Sequence, residues 1–207
     1  MRKFFAVLFL FVLLSFNSFA QSSGGGVRQL GDLLSNDTVT LTASGNGSSS
    51  GFAVMGFLKN NTQGEIRINV TIDGGLYFIN SGKGQNMLAV QIFLSDGGYA
   101  SDGTKNFLIL PSRSNIPVVL DAYCADFDLD NPSSKESFKI ASMPSAIKTI
   151  ASKMSKYTAD NFDSDSDYTT ATQLALWRSQ GKTRTEISKK FDFDDDDWKL
   201  SGAIINY

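Results

Sequence analysis

The amino-acid sequence predicts an α+β domain in which antiparallel β-structure, a sandwich or a barrel, precedes a small helical part. Three observations carry this expectation. In Ile66-Arg67-Ile68-Asn69-Val70-Thr71-Ile72 the apolar residues fall at every second position, the period of a strand with one buried face. Clusters of Gly, Asn, Asp and Ser separate further short apolar segments at a spacing usual for sandwiches and barrels. Beyond Asn131-Pro132 the period lengthens, and Ile147, Ile150, Ala151 and Met154 recur at helical spacing.

Taken in order, residues 1–20 read as a signal peptide. Arg2 and Lys3 form a positive start, Phe4 to Leu14 is an unbroken apolar run, and Ser18-Phe19-Ala20 supplies a small-x-small cleavage signal before Gln21. The mature chain is therefore expected to be secreted or held at the cell surface. Residues 21–51 read as a Gly/Ser-rich flexible lead-in, because Ser22 to Gly26 and Ser44 to Gly51 offer little apolar area to offset their ordering entropy. Between these runs Thr38 to Thr42 alternates and could form one strand. One domain is expected over residues 52–207, with its β part at about 52–125 and its helical part at about 140–207.

Within the β part the candidate strands are Phe52 to Leu58, Ile66 to Ile72, Leu76 to Ile79, Met87 to Leu94, Phe107 to Leu110 and Val118 to Cys124. Asp73-Gly74-Gly75 has turn chemistry between the second and third. In the helical part, Pro144 stands where a first helical turn tolerates it. An acidic loop, Asp160 to Asp167, then leads to a helix over Thr169 to Gln180 that stops at Gly181. Thr183 and Glu186 make a capping box for a third, short helix carrying Ile187 and Phe191. Asp192 to Tyr207 shows no decisive period.

Composition excludes much chemistry. The chain of 207 residues has no histidine and one cysteine. A Ser-His-Asp triad, a Cys-His dyad, an imidazole-bound zinc, an internal disulfide and a CxxC pair are all ruled out. Without Arg2 and Lys3 there are 17 basic against 21 acidic residues, a net charge of -4 that argues against nucleic acid or an anionic membrane as partner. No segment after the first is long and apolar enough to span a bilayer.

Two segments stand out together: Tyr123-Cys124-Ala125-Asp126, ending the last candidate strand, and Thr172-Gln173-Leu174-Ala175-Leu176-Trp177, on the second helix. The pair resembles the two halves of the secreted thioester domains of bacterial surface adhesins, which combine an aromatic-Cys segment with a later Thr-Gln-x-Ala-(aliphatic)-Trp segment. The resemblance covers about Val118 to Gln180. It implies an internal thioester between Cys124 and Gln173, formed with loss of ammonia, and covalent capture of a ligand whose lysine amine attacks that bond. The partner implied is a protein or another amine-bearing surface ligand. Such a bond stores reactivity without a cofactor and is spent once, so an enzyme is not expected. Trp177, one turn after Gln173, would share its face and shield the bond from water, together with Thr172. Tyr123, adjacent to the cysteine in a strand, would point to the opposite side, which leaves its shielding role less clear.

Plainer readings stand beside this one. A lone cysteine at an apolar strand end is commonly a small buried hydrophobe, and Gln173 and Trp177 suit an ordinary packed helix. In that case the protein is a non-covalent extracellular binding module, in which acidic loops could assist through calcium. A reactive thiolate is disfavoured, since Asp121, Asp126, Asp128 and Asp130 lie close to Cys124 in sequence. Asp126-x-Asp128-x-Asp130 opens like a calcium loop but has Asn131 in place of the glycine and Ser137 in place of the closing glutamate. Asp163-x-Asp165-x-Asp167 and Asp194 to Asp197 are equally incomplete, and solvated acidic loops are expected rather than a metal site. A carboxylate-based hydrolase is the third reading, although no acidic pair is set apart by its surroundings.

Overall fold

The computed structural model describes residues 25–162 and 168–207. The segment read as a signal peptide, residues 1–20 with its expected cut after Ala20, and Asp163, Asp165 and Asp167 lie outside these residues. The described chain runs α1 (Leu30–Ser35), β1 (Val39–Gly45), β2 (Val54–Asn60), β3 (Ile66–Asn69), β4 (Thr71–Asn80), β5 (Met87–Leu94), β6 (Ala100–Ser101), β7 (Asn106–Leu110), β8 (Asn115–Cys124) and β9 (Ser137–Ile140). Four helices follow: α2 (Ser145–Asp160), α3 (Thr169–Ser179), α4 (Arg184–Ile187) and α5 (Asp195–Asn206).

The expected α+β class is observed, with a barrel as its β part. Six strands close in the order β1-β2-β8-β5-β4-β9, and each neighbouring pair is antiparallel. Closure leaves no edge strand in this sheet, although β8 runs beyond its β2 partner after Leu120. A smaller sheet, β3-β7-β6, stands beside it.

Burial patterns follow from this arrangement. β5 and the second half of β8 are buried on both faces and show no alternation. One face lines the barrel, with Met87, Ala89, Ile92, Leu120, Ala122 and Cys124 in the main core. The other face bears Leu88, Val90, Tyr123 and Ala125, which the helices cover with Ile147, Ile150, Ala151, Met154, Ala171 and Ala175. The helical period read from α2 is thus the stripe that seals the outside of the barrel.

Several expectations are corrected. Residues 30–45 are not a flexible lead-in: Leu30 and Leu33 of α1 are fully buried, and β1 pairs along its whole length with β2 and closes the barrel against β9. The folded unit therefore begins well before residue 52. The composition of this stretch concealed it, because only a few apolar side chains (Leu30, Leu33, Val39, Ala43) anchor a segment whose backbone does the pairing.

Ile66 to Ile72 is not one strand either. The chain leaves the small sheet after Asn69 and joins the barrel at Thr71. Val70 packs with Phe93 and Val119, whereas Ile66, Ile68 and Ile72 enter the main core. Asp73-Gly74-Gly75 is not a hairpin turn but an irregularity inside β4, where the register with β5 shifts between Thr71 and Leu76. Gly74 and Gly75 have φ of 70° and 74°, and a Cβ at residue 75 would come within 2.9 Å of Leu88 Cδ1. Here glycine serves a left-handed bulge and a close strand-to-strand approach.

Pro144 is the N-cap of α2, and Gly181, with φ of 85°, follows the end of α3. The Thr183–Glu186 capping box is present, but α4 stops at Ile187, so Phe191 lies beyond it. The unassigned tail forms α5, opened by a second capping box between Asp194 and Asp197. The acidic run Asp194 to Asp197 is thereby explained, because carboxylates at a helix N-terminus satisfy free N–H groups and oppose the positive end of the dipole.

A cysteine and a glutamine paired at the barrel end

The alternation of β8 sends consecutive residues Tyr123 and Cys124 to opposite sides of the sheet. Cys124 faces the barrel core, fully buried, with its Sγ 3.7 Å from Met87 Sδ on the neighbouring strand. Helix α3 brings Gln173, also fully buried, onto the same strand end. The Gln173 carboxamide pairs with the main chain of Cys124 in both directions. Its Oε1 accepts from the Cys124 N–H at 2.9 Å, and its Nε2 donates to the Cys124 carbonyl at 2.9 Å. Two residues 49 positions apart are joined as closely as partners in a ladder.

A third strand-like element completes the edge. β2 pairs with β8 only as far as Leu120, and the Gly/Ser loop preceding β2 continues alongside. Ala122 N–H donates to the Gly51 carbonyl at 2.7 Å, and Cys124 N–H also donates to the Ser49 carbonyl at 3.0 Å. The segment expected to be mobile instead borders the cysteine. Its pairing uses backbone groups alone, which is why side-chain composition gave no sign of it.

The other expected site residues fall around this pair. Leu174 and Trp177 share the main core with Cys124, and the Trp177 ring stands edge-on between Phe127 and Phe191, at 5.1 and 5.3 Å between centroids. Trp177 thus lies on the cysteine side of the sheet. Tyr123 lies on the other face: its hydroxyl donates to Asp121 Oδ2 at 2.9 Å and interacts with Thr172. Thr172 Oγ1 in turn donates to the Tyr168 carbonyl at 2.8 Å. Tyr123 and Thr172 therefore fasten α3 to β8 and set the height of Gln173, rather than covering the thiol. Gln180, not singled out from the sequence, adds a second clamp by donating from Nε2 to the Ala125 carbonyl at 3.0 Å. A glutamine seven residues, or two turns, after Gln173 on the same helix was the available signal.

Burial and the charge of Asp126 push the Cys124 thiol up to about 12. This shift favours the protonated thiol at neutral pH and disfavours a thiolate nucleophile. Burial, followed by the charge of Asp121, also holds the Tyr123 hydroxyl well above its ordinary value. The linkage has a definite sign. An unfolded chain loses these protons at ordinary values while the folded chain retains them, so alkaline pH favours unfolding. Stability is expected to be constant up to about pH 9, the ordinary thiol value, and to fall as pH rises towards 12. Thermal melts of the Gln173→Ala protein between pH 8 and 11 check this, and a flat profile would contradict it. Tyr123→Phe should make the fall shallower.

The acidic residues nearby are engaged structurally. Asp126 Oδ2 accepts from the Asn86 N–H at 2.9 Å, and Asp128 pairs with Lys182 at 2.9 Å, a bond that lowers its carboxyl below the usual range. Among the described residues no three histidine, cysteine or acidic side chains come together as a metal site. Among the same residues no helix is long and apolar enough to cross a membrane.

Fold and site together define a class: an antiparallel barrel whose last long strand presents a buried cysteine to a glutamine on a covering helix. Residues 121–205 match the family model described as TED: Thioester domain. This span contains both motifs, β9, α2, α3, α4 and all but the last residue of α5, and it enters β8 only from Asp121 onward, so the likeness to that family rests on the segment bearing the Cys124–Gln173 pair. No curated protein and no solved structure matches the chain.

Proposed function

We propose that Cys124 and Gln173 condense to an internal thioester, and that the domain uses it to capture an amine-bearing surface ligand covalently. The observation that carries this reading is the reciprocal pairing of the Gln173 carboxamide with the Cys124 main chain. The N–H of Cys124 polarises the amide carbonyl and would stabilise the oxyanion formed when the sulfur adds to Gln173 Cδ. Sγ bonds to Cδ, the bond from Cδ to Nε2 breaks, and Nε2 leaves with the thiol proton as ammonia. In capture, a ligand amine adds to Cδ, the C–S bond breaks, and the amine proton passes to sulfur. The products are an amide to Gln173 and a free Cys124 thiol.

Each molecule reacts once, so the domain acts as an adhesive and not as an enzyme. Secretion follows from the signal-type segment, and a protein lysine on another surface is the natural nucleophile. The buried, apolar setting of Cys124 against Met87 also supports a rival, a non-covalent binding module with a structural cysteine. Incubation with a lysine-bearing peptide separates them. Capture is expected to give a stable adduct on the Gln173 peptide fragment and one newly alkylatable thiol. An unmodified protein after prolonged incubation would favour the rival.

A further inference from the structure

Next to the end of β8 lies a cavity of about 570 Å³, bounded by Ser49, whose carbonyl accepts from the Cys124 N–H, and by Gln85, the 127–131 turn, Trp177 and Lys190. Its wall approaches the cysteine sulfur, since Asn131 Oδ1 is 4.0 Å from Cys124 Sγ. Two of its lining side chains carry buried polar atoms that lack a partner among the described residues: Gln85 Oε1, an acceptor, and Trp177 Nε1, a donor. Both residues are only 4% exposed. Buried groups of this kind are costly unless something satisfies them. Gln85 is itself fixed, because its Nε2 donates to the Leu129 carbonyl at 2.8 Å. The orphaned acceptor is therefore held in place.

The Phe127 ring that lines this cavity already attracts two ammonium groups, one of them from the lining residue Lys190. Lys190 Nζ lies 5.0 Å from the Phe127 ring centroid and donates to the Phe127 carbonyl at 3.3 Å. Lys182 Nζ lies 4.8 Å from the same ring. An aromatic face attracts cations, and its apolar surface accepts the methylene stem of a long amine. Lys190 is an exposed residue and can yield its place.

Resting on the thioester reading above, we propose that this cavity is the port through which a ligand lysine side chain reaches the Cys124–Gln173 bond. Phe127 receives its stem and ammonium, and Gln85 Oε1 accepts an amine N–H. Trp177 Nε1 donates to the carbonyl oxygen that gains negative charge as the amine adds. The ammonium first gives one proton to solvent water; the neutral amine nitrogen then forms the new bond to Gln173 Cδ, the C–S bond breaks, and the second amine proton goes to the Cys124 sulfur.

The test uses the mature protein, Nα-acetyl-lysine methylamide and methylamine, with adduct formation followed by intact mass. Wild type should capture the lysine compound about tenfold faster than methylamine at equal free-amine concentration. Ser49→Trp and Lys190→Trp obstruct opposite sides of the port, and each should slow lysine capture about tenfold while keeping the ammonia deficit of the starting protein. If Ser49→Trp alone loses the deficit, Lys190→Trp decides. A blocked variant that keeps the deficit yet captures at the wild-type rate overturns the port, and so do equal wild-type rates for the two amines. A wild-type protein with no ammonia deficit would instead sink the thioester itself, a result distinguishable at the first spectrum.

Discussion

The mature protein is expected to weigh one ammonia less than its sequence, and Cys124→Ala or Gln173→Ala should each restore the full sequence mass. The effect is all or none, because neither half of the bond can form alone. Geometry gives the reason for expecting it: Gln173 Oε1 and Nε2 are each 2.9 Å from the Cys124 backbone, in a place that both residues share fully buried. A glutamine with no chemical role would gain from the same two bonds, and the intact mass distinguishes the two cases. Full-mass wild type with a thiol alkylated only after denaturation would return Cys124 to the role of a small core residue. Gln173→Ala also removes two buried hydrogen bonds, at about 1 kcal/mol each, so its circular dichroism should remain native.

The second large effect is expected at Trp177. Trp177→Ala should destabilise the domain by about 3–5 kcal/mol, the usual range for emptying a large aromatic site in a core. The ring is 4% exposed, stands edge-on to Phe127 and Phe191, and belongs to the cluster that contains Cys124. Its loss should also admit water to the bond. Hydrolysis converts Gln173 to a glutamate and frees the thiol, so the mass should rise by one water much faster than in wild type. Urea unfolding and a time course of intact mass measure the two effects separately. A variant that loses stability but retains its deficit for as long as wild type would show that Trp177 is packing alone and that the shield lies elsewhere.

Much of the fold was legible because its signals are local. Met87 to Leu94 reads as a strand from its own residues, and α2 declares itself through Ile147, Ile150, Ala151 and Met154. The Thr183–Glu186 box fixed the start of α4 for the same reason. The Asp194–Asp197 box was equally present in the sequence, yet four consecutive aspartates look like a solvated loop until the helix behind them is seen. The failures share another origin. Asp73-Gly74-Gly75 has the residues of a turn, and only the neighbouring β5 makes it a bulge. The Ser44 to Gly51 stretch has the composition of a linker, and only the open edge of β8 beyond Leu120 gives its carbonyls partners.

The site divides along the same line. The sequence by itself determined the side chains available: one thiol, no imidazole, and a glutamine one turn before a tryptophan. Residue identity and short-range period are properties of the chain alone. Tertiary structure decided that Cys124 turns into the barrel while Tyr123 turns to the helices, and that Gln173 reaches across 49 positions to the Cys124 backbone. It also decided that a Gly/Ser loop, and a cavity with two unpartnered polar atoms, border the pair. These are long-range contacts made by backbone and by shape, which no local pattern of side chains encodes.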